Sequence, residues 1–245
     1  MNVRMYTIAL AGNPNTGKST LFNTLTGLRQ HTGNWAGKTV LTAAGEFVHH
    51  DVTYRVIDLP GTYSLYSNSA DEEVARDYII FEQPDVTVVV VDATSLERNL
   101  NLALQVLEMT NRVVLCVNLM DEAKRLGVHV DVTRIRQKLG VPTVAISARN
   151  RTGIDELLEQ VEKVASGKII PQPVTISYSA EIERKIKELE PHIQRLLGTR
   201  FPPRWIALRL LDGDEKLLAS LKAHLGTVAA PGLKEVVPHE QISCH

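Results

Sequence analysis

At 245 residues the chain has room for one sizeable core, or for one domain with a small appendage. Its 27 Lys+Arg nearly cancel its 28 Asp+Glu, which removes nucleic acid as the default partner. Two cysteines, Cys116 in an apolar run and Cys244 beside the C-terminus, exclude a disulfide framework or a thiolate metal site and suit a reducing, cytosolic setting.

In chain order, the start Met1-Asn2-Val3-Arg4-Met5 leads straight into a core-type run and lacks the pattern of a secretory leader. Runs at 5–11, 53–58, 86–92, 112–118 and 142–146 are continuous and rich in Val, Ile and Leu, as in strands covered on both faces. A more polar run near 40–49 is expected at a sheet edge, and the segment from Arg29 to Lys38 has no clear period and reads as a loop. Helical periodicity is present at 18–27, 71–82, 96–109 and 153–166. Alternation of such runs predicts an α/β fold around a mostly parallel sheet. No run reaches the ~18 apolar residues that cross a bilayer, so the chain by itself is expected to be soluble.

A boundary is expected near Ser166-Gly167-Lys168-Ile169-Ile170-Pro171-Gln172-Pro173, beyond which strand-like runs stop. Glu181 to Leu197 forms an amphipathic helix despite Pro191, and 204–211 and 215–225 look like shorter helices. The expected organisation is an α/β domain at 1–167, a small all-helical domain at 168–226 and a disordered tail at 227–245.

Gly12-Asn13-Pro14-Asn15-Thr16-Gly17-Lys18-Ser19 matches the phosphate-loop pattern G-x-x-x-x-G-K-[ST], between a strand-like run and a helix. Glycines let that backbone curl so its N–H groups face phosphate oxygens, and the helix N-terminus adds positive partial charge. Lys18 would reach the β- and γ-phosphates, and the Ser19 hydroxyl would ligate Mg²⁺. Gly37-Lys38-Thr39 also spells G-K-T, but Gly33 is one position too close and no core strand feeds it.

Asp58-Leu59-Pro60-Gly61 ends the strand-like run Tyr54-Arg55-Val56-Ile57. There Asp58 can hold a Mg²⁺ water, and the Gly61 N–H can contact the γ-phosphate. Asn118-Leu119-Met120-Asp121 ends another run and sets a carboxylate against the guanine N1–H and 2-amino group, donors that adenine lacks. Asn68-Ser69-Ala70-Asp71 has the same spelling with no core strand before it and is set aside. Ser147-Ala148-Arg149 follows a third run and suits a turn whose N–H meets the guanine 6-oxo group. Each element is weak alone. Their order, each at a strand's C-terminal end where such sheets bind ligands, points to GTP and GDP.

Over most of residues 5–225 the sequence resembles the N-terminal cytosolic part of the ferrous iron transport protein B (FeoB) family. The resemblance is carried by the phosphate loop through Thr20-Leu21-Phe22-Asn23, by Gly33-Asn34-Trp35-Ala36-Gly37, by Asp58-Leu59-Pro60-Gly61-Thr62-Tyr63-Ser64-Leu65, and by Arg204-Trp205-Ile206-Ala207-Leu208-Arg209-Leu210-Leu211. It implies a Ras-like G domain, a helical GDI-like domain that slows nucleotide release, and a ferrous-iron membrane domain supplied by the same or another chain. It further implies a place at the cytoplasmic face of the bacterial or archaeal plasma membrane and self-association through the parent transporter.

By resemblance, Thr39 is the switch I threonine that completes the Mg²⁺ shell, and Lys38 stands where the family usually has a small apolar residue. The implied nucleotide-binding set is Gly12, Asn13, Pro14, Asn15, Thr16, Gly17, Lys18, Ser19, Thr20, Gly37, Lys38, Thr39, Val40, Leu41, Asp58, Leu59, Pro60, Gly61, Asn118, Leu119, Met120, Asp121, Ser147, Ala148 and Arg149. Ser19, Thr39 and, through water, Asp58 are the Mg²⁺ ligands. Thr62 stands where Ras-type proteins carry a glutamine that orients water, and it is too short for that task. The resemblance instead implies that Asn15, with carbonyls around Gly33-Asn34-Trp35, holds K⁺ and replaces an arginine finger. Asn15, Lys18, Thr39 and Gly61 form the catalytic set.

The eight histidines, at 31, 49, 50, 129, 192, 224, 239 and 245, show no ligand spacing. His49 and His50 would face opposite sides of a strand, so no metal site is expected from them. Alternatives to a slow, potassium-activated GTPase regulating or driving iron transport are a ribosome-assembly or tRNA-modification GTPase, and a nucleotide-sensing switch that is not a motor. The neutral charge balance and Gly33-Asn34-Trp35 disfavour the first.

Overall fold

The computed structural model describes residues 5–27, 30–34, 41–66 and 69–225, with backbone alone for 30–34, Leu41 and Leu225. The chain divides into two compact units, Met1–Val174 and Thr175–His245.

The first unit is built on a seven-stranded sheet. In chain order its strands are β1 (Met5–Gly12), β2 (Gln30–Asn34), β3 (Leu41–His49), β4 (Val52–Asp58), β5 (Val86–Asp92), β6 (Val113–Asn118) and β7 (Thr143–Ala145). Their spatial order is β2-β3-β4-β1-β5-β6-β7. β2, β3 and β4 pair antiparallel, whereas β4-β1-β5-β6-β7 are all parallel. The fold is thus the expected α/β architecture with a mostly parallel sheet and a helical C-terminal region. The strand order reverses direction at β1, with neighbours β4 and β5 on its two sides. Open α/β sheets form their ligand crevice at such a point.

β5 and β6 are Val-rich and almost wholly buried because both faces are covered. Along β1, Tyr6, Ile8 and Leu10 join a cluster with Leu21 and Phe22 of α1 (Lys18–Thr26) and Leu157, Leu158, Val161 and Val164 of α6 (Ile154–Ala165). Ala9 and Ala11 alternate to the other face, where α3 (Leu96–Met109) packs against β1, β5 and β6.

Four features depart from the sequence expectation. Part of the segment 29–38, expected to be a loop, forms strand β2. That strand takes the edge position expected for 40–49, so β3 lies inside the sheet. Antiparallel pairing with β3, from Gln30↔Gly45 to Asn34↔Leu41, organises a stretch with no alternating pattern of its own. Helix α2 (Ala70–Asp77) begins at a Ser69 cap but continues as a π-helical turn, Tyr78–Glu82, rather than as regular α-helix. Two short helices, α4 (Met120–Arg125) and α5 (Val132–Leu139), were not expected, because six and eight residues carry too little periodicity to register.

Residues 169–174 follow α6 and are tied back to the first unit: Ile169 N–H donates to Lys163 O, Gln172 N–H to Gly140 O and Val174 N–H to Leu139 O. The second unit contains α7 (Ala180–Leu197), α8 (Pro203–Leu211) and α9 (Glu215–Leu225). The Ser179 side chain caps α7 by accepting from Ile182 N–H, and α7 packs on α8. Arg204 of α8 donates to both carboxylate oxygens of Glu183 at 2.8 and 2.7 Å and to the Ile176 carbonyl at 2.8 Å. No helix among the described residues is long and apolar enough to cross a membrane.

Candidate functional site

The loop between β1 and α1 begins at Gly12, where a Cβ would lie 2.6 Å from the Val90 carbonyl oxygen of β5. Only glycine allows the two backbones that approach. The chain then curls: Asn15 and Gly17 both adopt positive φ, 67° and 78°. The Thr16 hydroxyl donates to the Asn13 carbonyl at 3.0 Å and stabilises the curl. No side chain caps the α1 N-terminus, so its first-turn N–H groups face the crevice with the dipole's positive end behind them. The Asn13 amide is buried, and neither its Nδ2 nor its Oδ1 has a hydrogen-bond partner. A buried amide left unsatisfied is costly unless a bound polar group completes it.

β4 brings Asp58 alongside Leu10 in parallel register, which sets the D-x-x-G turn beside the phosphate loop. Lys18, only 7% exposed, donates from Nζ to Asp58 Oδ1 and, at 2.6 Å, to the Leu59 carbonyl. The Ser19 hydroxyl donates to Asp58 Oδ2 at 3.2 Å. The turn is fastened to the loop strand by Leu59 N–H to Leu10 O at 3.0 Å and Thr62 N–H to Gly12 O at 3.3 Å. Gly61 packs against Pro14, and a Cβ there would sit 3.4 Å from the Pro14 backbone. Pro60 is half-buried in the same turn, and Thr62 is buried.

Asn118, fully buried at the end of β6, joins the remaining parts. Its Nδ2 donates to the Thr16 carbonyl at 2.9 Å, and its Oδ1 accepts from the Ala148 N–H at 3.0 Å. One carboxamide therefore holds the phosphate loop and the 147–149 turn in fixed relation. Leu119 takes a left-handed φ of 63° that turns the chain into α4, and the Met120 N–H donates to the Ile146 carbonyl. Asp121 lies exposed in the first turn of α4, with Oδ2 accepting from Asn150 Nδ2 at 3.1 Å. The Ser147 hydroxyl is buried without a partner, while its backbone exchanges bonds with Thr152. Arg149 is exposed. A cavity of about 610 Å³ opens between Asp121, Lys124, Ser147 and Asn150.

The structure thus gathers residues 12–20, 58–61, 118–121 and 147–149 around one crevice. Gly37, Lys38, Thr39 and Val40 lie outside the described residues, and Leu41 is described only as the first residue of β3. Sequence reasoning missed Asn150, whose bond to Asp121 has no motif to announce it. It also placed His49 and His50 on opposite strand faces. His50 instead leaves the strand with a φ of 48°, and the two rings lie 3.9 Å apart.

Residues 6–161 match the model of a family described as ferrous iron transport protein B, and residues 178–241 match that of the FeoB cytosolic helical domain. The chain belongs to the FeoB family. It is 39% identical over 221 residues to a ferrous iron transport protein A/FeoB fusion protein of Porphyromonas gingivalis, covering 88% of this chain and 26% of that protein. Among solved structures, the cytosolic domain of the T. maritima FeoB iron transporter in GDP form I superposes with a TM-score of 0.83 at 34% identity, covering 97% of this chain and 98% of the other. Its GMPPNP form gives a TM-score of 0.81 at 34% identity, covering 95% and 93%. The chain spans about a quarter of the length of the curated FeoB relatives it matches.

Proposed function

We propose that this FeoB-family chain binds Mg²⁺-GTP, hydrolyses it slowly to GDP and phosphate, and through that cycle regulates or drives ferrous iron transport. The iron would pass through a membrane domain carried by the same or another chain, at the cytoplasmic face of a bacterial or archaeal plasma membrane. The observation that carries the reading is the Asn118 carboxamide, which joins the phosphate loop to the turn beside Asp121. That cross-link fixes the span between a phosphate grip and a base-reading carboxylate. The GDP and GMPPNP forms of the T. maritima relative support the same ligand class.

In this reading the curled backbone and the α1 N-terminus bind the phosphates, and the buried Asn13 amide finds a polar partner there. Lys18 exchanges Asp58 and the Leu59 carbonyl for phosphate oxygens. The Ser19 hydroxyl and Asp58 carboxylate, hard oxygen donors 3.2 Å apart, fit Mg²⁺, with Asp58 acting through water and Thr39 as a further ligand. Bound Mg²⁺ neutralises charge on the β- and γ-phosphates. The Gly61 N–H serves the γ-phosphate, Asp121 accepts from guanine N1–H and its 2-amino group, and the Ser147–Arg149 turn donates to the 6-oxo oxygen.

Thr62 is buried with its N–H committed to the Gly12 carbonyl, which supports slow turnover without a water-orienting side chain at that position. Asn15 holds an exposed carboxamide at the lip of the loop and is the residue proposed to hold K⁺. The boundary expected at 167/168 shifts to Val174/Thr175, because residues 169–174 are hydrogen-bonded to the first unit, so the domains proposed are 1–174 for the G domain and 175–226 for the GDI-like helical domain. Calorimetry with GTP, GDP and ATP, in Mg²⁺ with K⁺ or Na⁺, tests the reading. Guanine nucleotides should bind and ATP should not, and equal affinity for all three would overturn it.

A further inference from the structure

At the far end of the sheet from the crevice, β3 ends at His49 and the chain turns through His50 and Asp51 into β4. Both turn residues have positive φ, 48° and 62°, as a two-residue hairpin of the twisted kind requires. Strand alternation stops there, and the imidazoles of consecutive residues come onto one side, with centroids 3.9 Å apart. The last turn of α6 presents Glu162 to the same place. One ring nitrogen from each histidine and one Glu162 carboxylate oxygen all lie within 4.8 Å of one another.

We propose that His49, His50 and Glu162 form a binding site for a divalent first-row transition metal ion, separate from the nucleotide crevice. Two imidazoles and a carboxylate are a donor set that suits Fe²⁺, Co²⁺ or Zn²⁺ rather than Mg²⁺ or Ca²⁺. His50 Nδ1 lies 3.4 Å from Glu162 Oε2. Ligands bound at about 2.1 Å in a tetrahedral shell are separated by about that distance. His49 Nε2 is buried with no hydrogen-bond partner. Lys168 Nζ lies 3.5 Å from the other carboxylate oxygen, Oε1, which leaves Oε2 to the ion. β4 separates the site from Asp58 by six residues, or about 20 Å of extended chain. An ion there would fasten the β3–β4 turn to α6 with water filling its remaining positions.

The test is Co²⁺ titration of the nucleotide-free chain, followed by visible absorption and calorimetry, for wild type, His50→Ala and Glu162→Gln. The His50 side chain is largely exposed, so its removal leaves the core intact. Wild type should give a d–d band that saturates near one equivalent, displaced by Zn²⁺ or anaerobic Fe²⁺ but not by Mg²⁺. Each variant should weaken binding at least about 10-fold, the lower end of what disturbing even a supporting group costs a metal site. Unchanged circular dichroism would show that the fold persists. No band in wild type, or equal Co²⁺ affinity in all three proteins, would overturn the proposal. With no nucleotide present, this outcome is separate from that of the GTP assay.

Discussion

Lys18 and Asp58, 40 residues apart in sequence, are ion-paired inside the crevice where β1 and β4 run side by side. On the proposed reading, a nucleotide must draw the ammonium away from a carboxylate before its phosphates gain it. Lys18→Met should lower GTP affinity by about 100-fold, near 3 kcal/mol, the upper range for hydrogen bonds to charged groups. Asp58→Asn should behave differently, because it frees Lys18 while removing the carboxylate proposed to act on Mg²⁺. It should bind GDP at least as tightly as wild type in EDTA, yet lose most of the gain in GTP affinity that Mg²⁺ gives. Calorimetry with and without Mg²⁺ checks both, and an equal loss in both conditions would count against this division of roles.

Gly17 and Asn118 should be coupled in stability. A Cβ on Gly17, at φ 78°, would meet Asn118 Nδ2 at 2.3 Å. Gly17→Ala should cost about 1–3 kcal/mol through this contact and the left-handed backbone. Asn118→Ala should cost a similar amount by orphaning the Thr16 carbonyl and the Ala148 N–H. The double variant should cost less than the sum, because the clashing amide is gone. Urea denaturation of the four proteins checks this, and strict additivity would sink the coupling.

Turnover should depend on the monovalent cation through Asn15. In Na⁺ the wild-type rate should be on the order of 10⁻³ s⁻¹, typical of an unassisted G domain, with clear acceleration in K⁺. Asn15→Ala should keep the Na⁺ rate and lose the acceleration. Phosphate release measured in both salts decides it, since equal rates in all four combinations would exclude a cation role.

The helical unit should be acid-sensitive through Glu183. Hydrogen bonds from the Arg204 guanidinium, then from the Tyr178 N–H, lower its pKa from 4.5 to about 2. A carboxyl whose folded pKa is depressed contributes stability above its unfolded value and loses it as pH falls through the folded one. The contribution is thus whole above about pH 4.5 and gone near pH 2. Glu183→Gln should melt lower than wild type at pH 7, with the gap closing between those limits. A pH-independent difference in melting temperature would point to lost packing instead.

Much of this could be read in the sequence because local chemistry and global fold agree there. Gly12, Asp58 and Asn118 end strands, Gly17 and Lys18 open the helix that follows the first of them, and a strand that is apolar throughout announces where it stops. What escaped has no local signature. Strand β2 takes its extended form from β3, so no alternation in Gln30–Asn34 records it. Asn150 matters only because the Ser147–Thr152 turn folds it back to Asp121. The His49–His50 pair misled because strand alternation was extended one residue too far, into a left-handed turn.

The paired strands β3 and β4 have a mechanical consequence. Their register runs from Ala43↔Asp58 to His49↔Val52, and a slip of one residue would move each side chain to the opposite face of the sheet. Sliding is therefore opposed, and β4 is held on its other side by β1. One end of the pair carries Asp58; the other is the bend at His50 and Asp51. An attachment that steadies the histidine bend would therefore hold the same strand register that sets Asp58 beside Leu10.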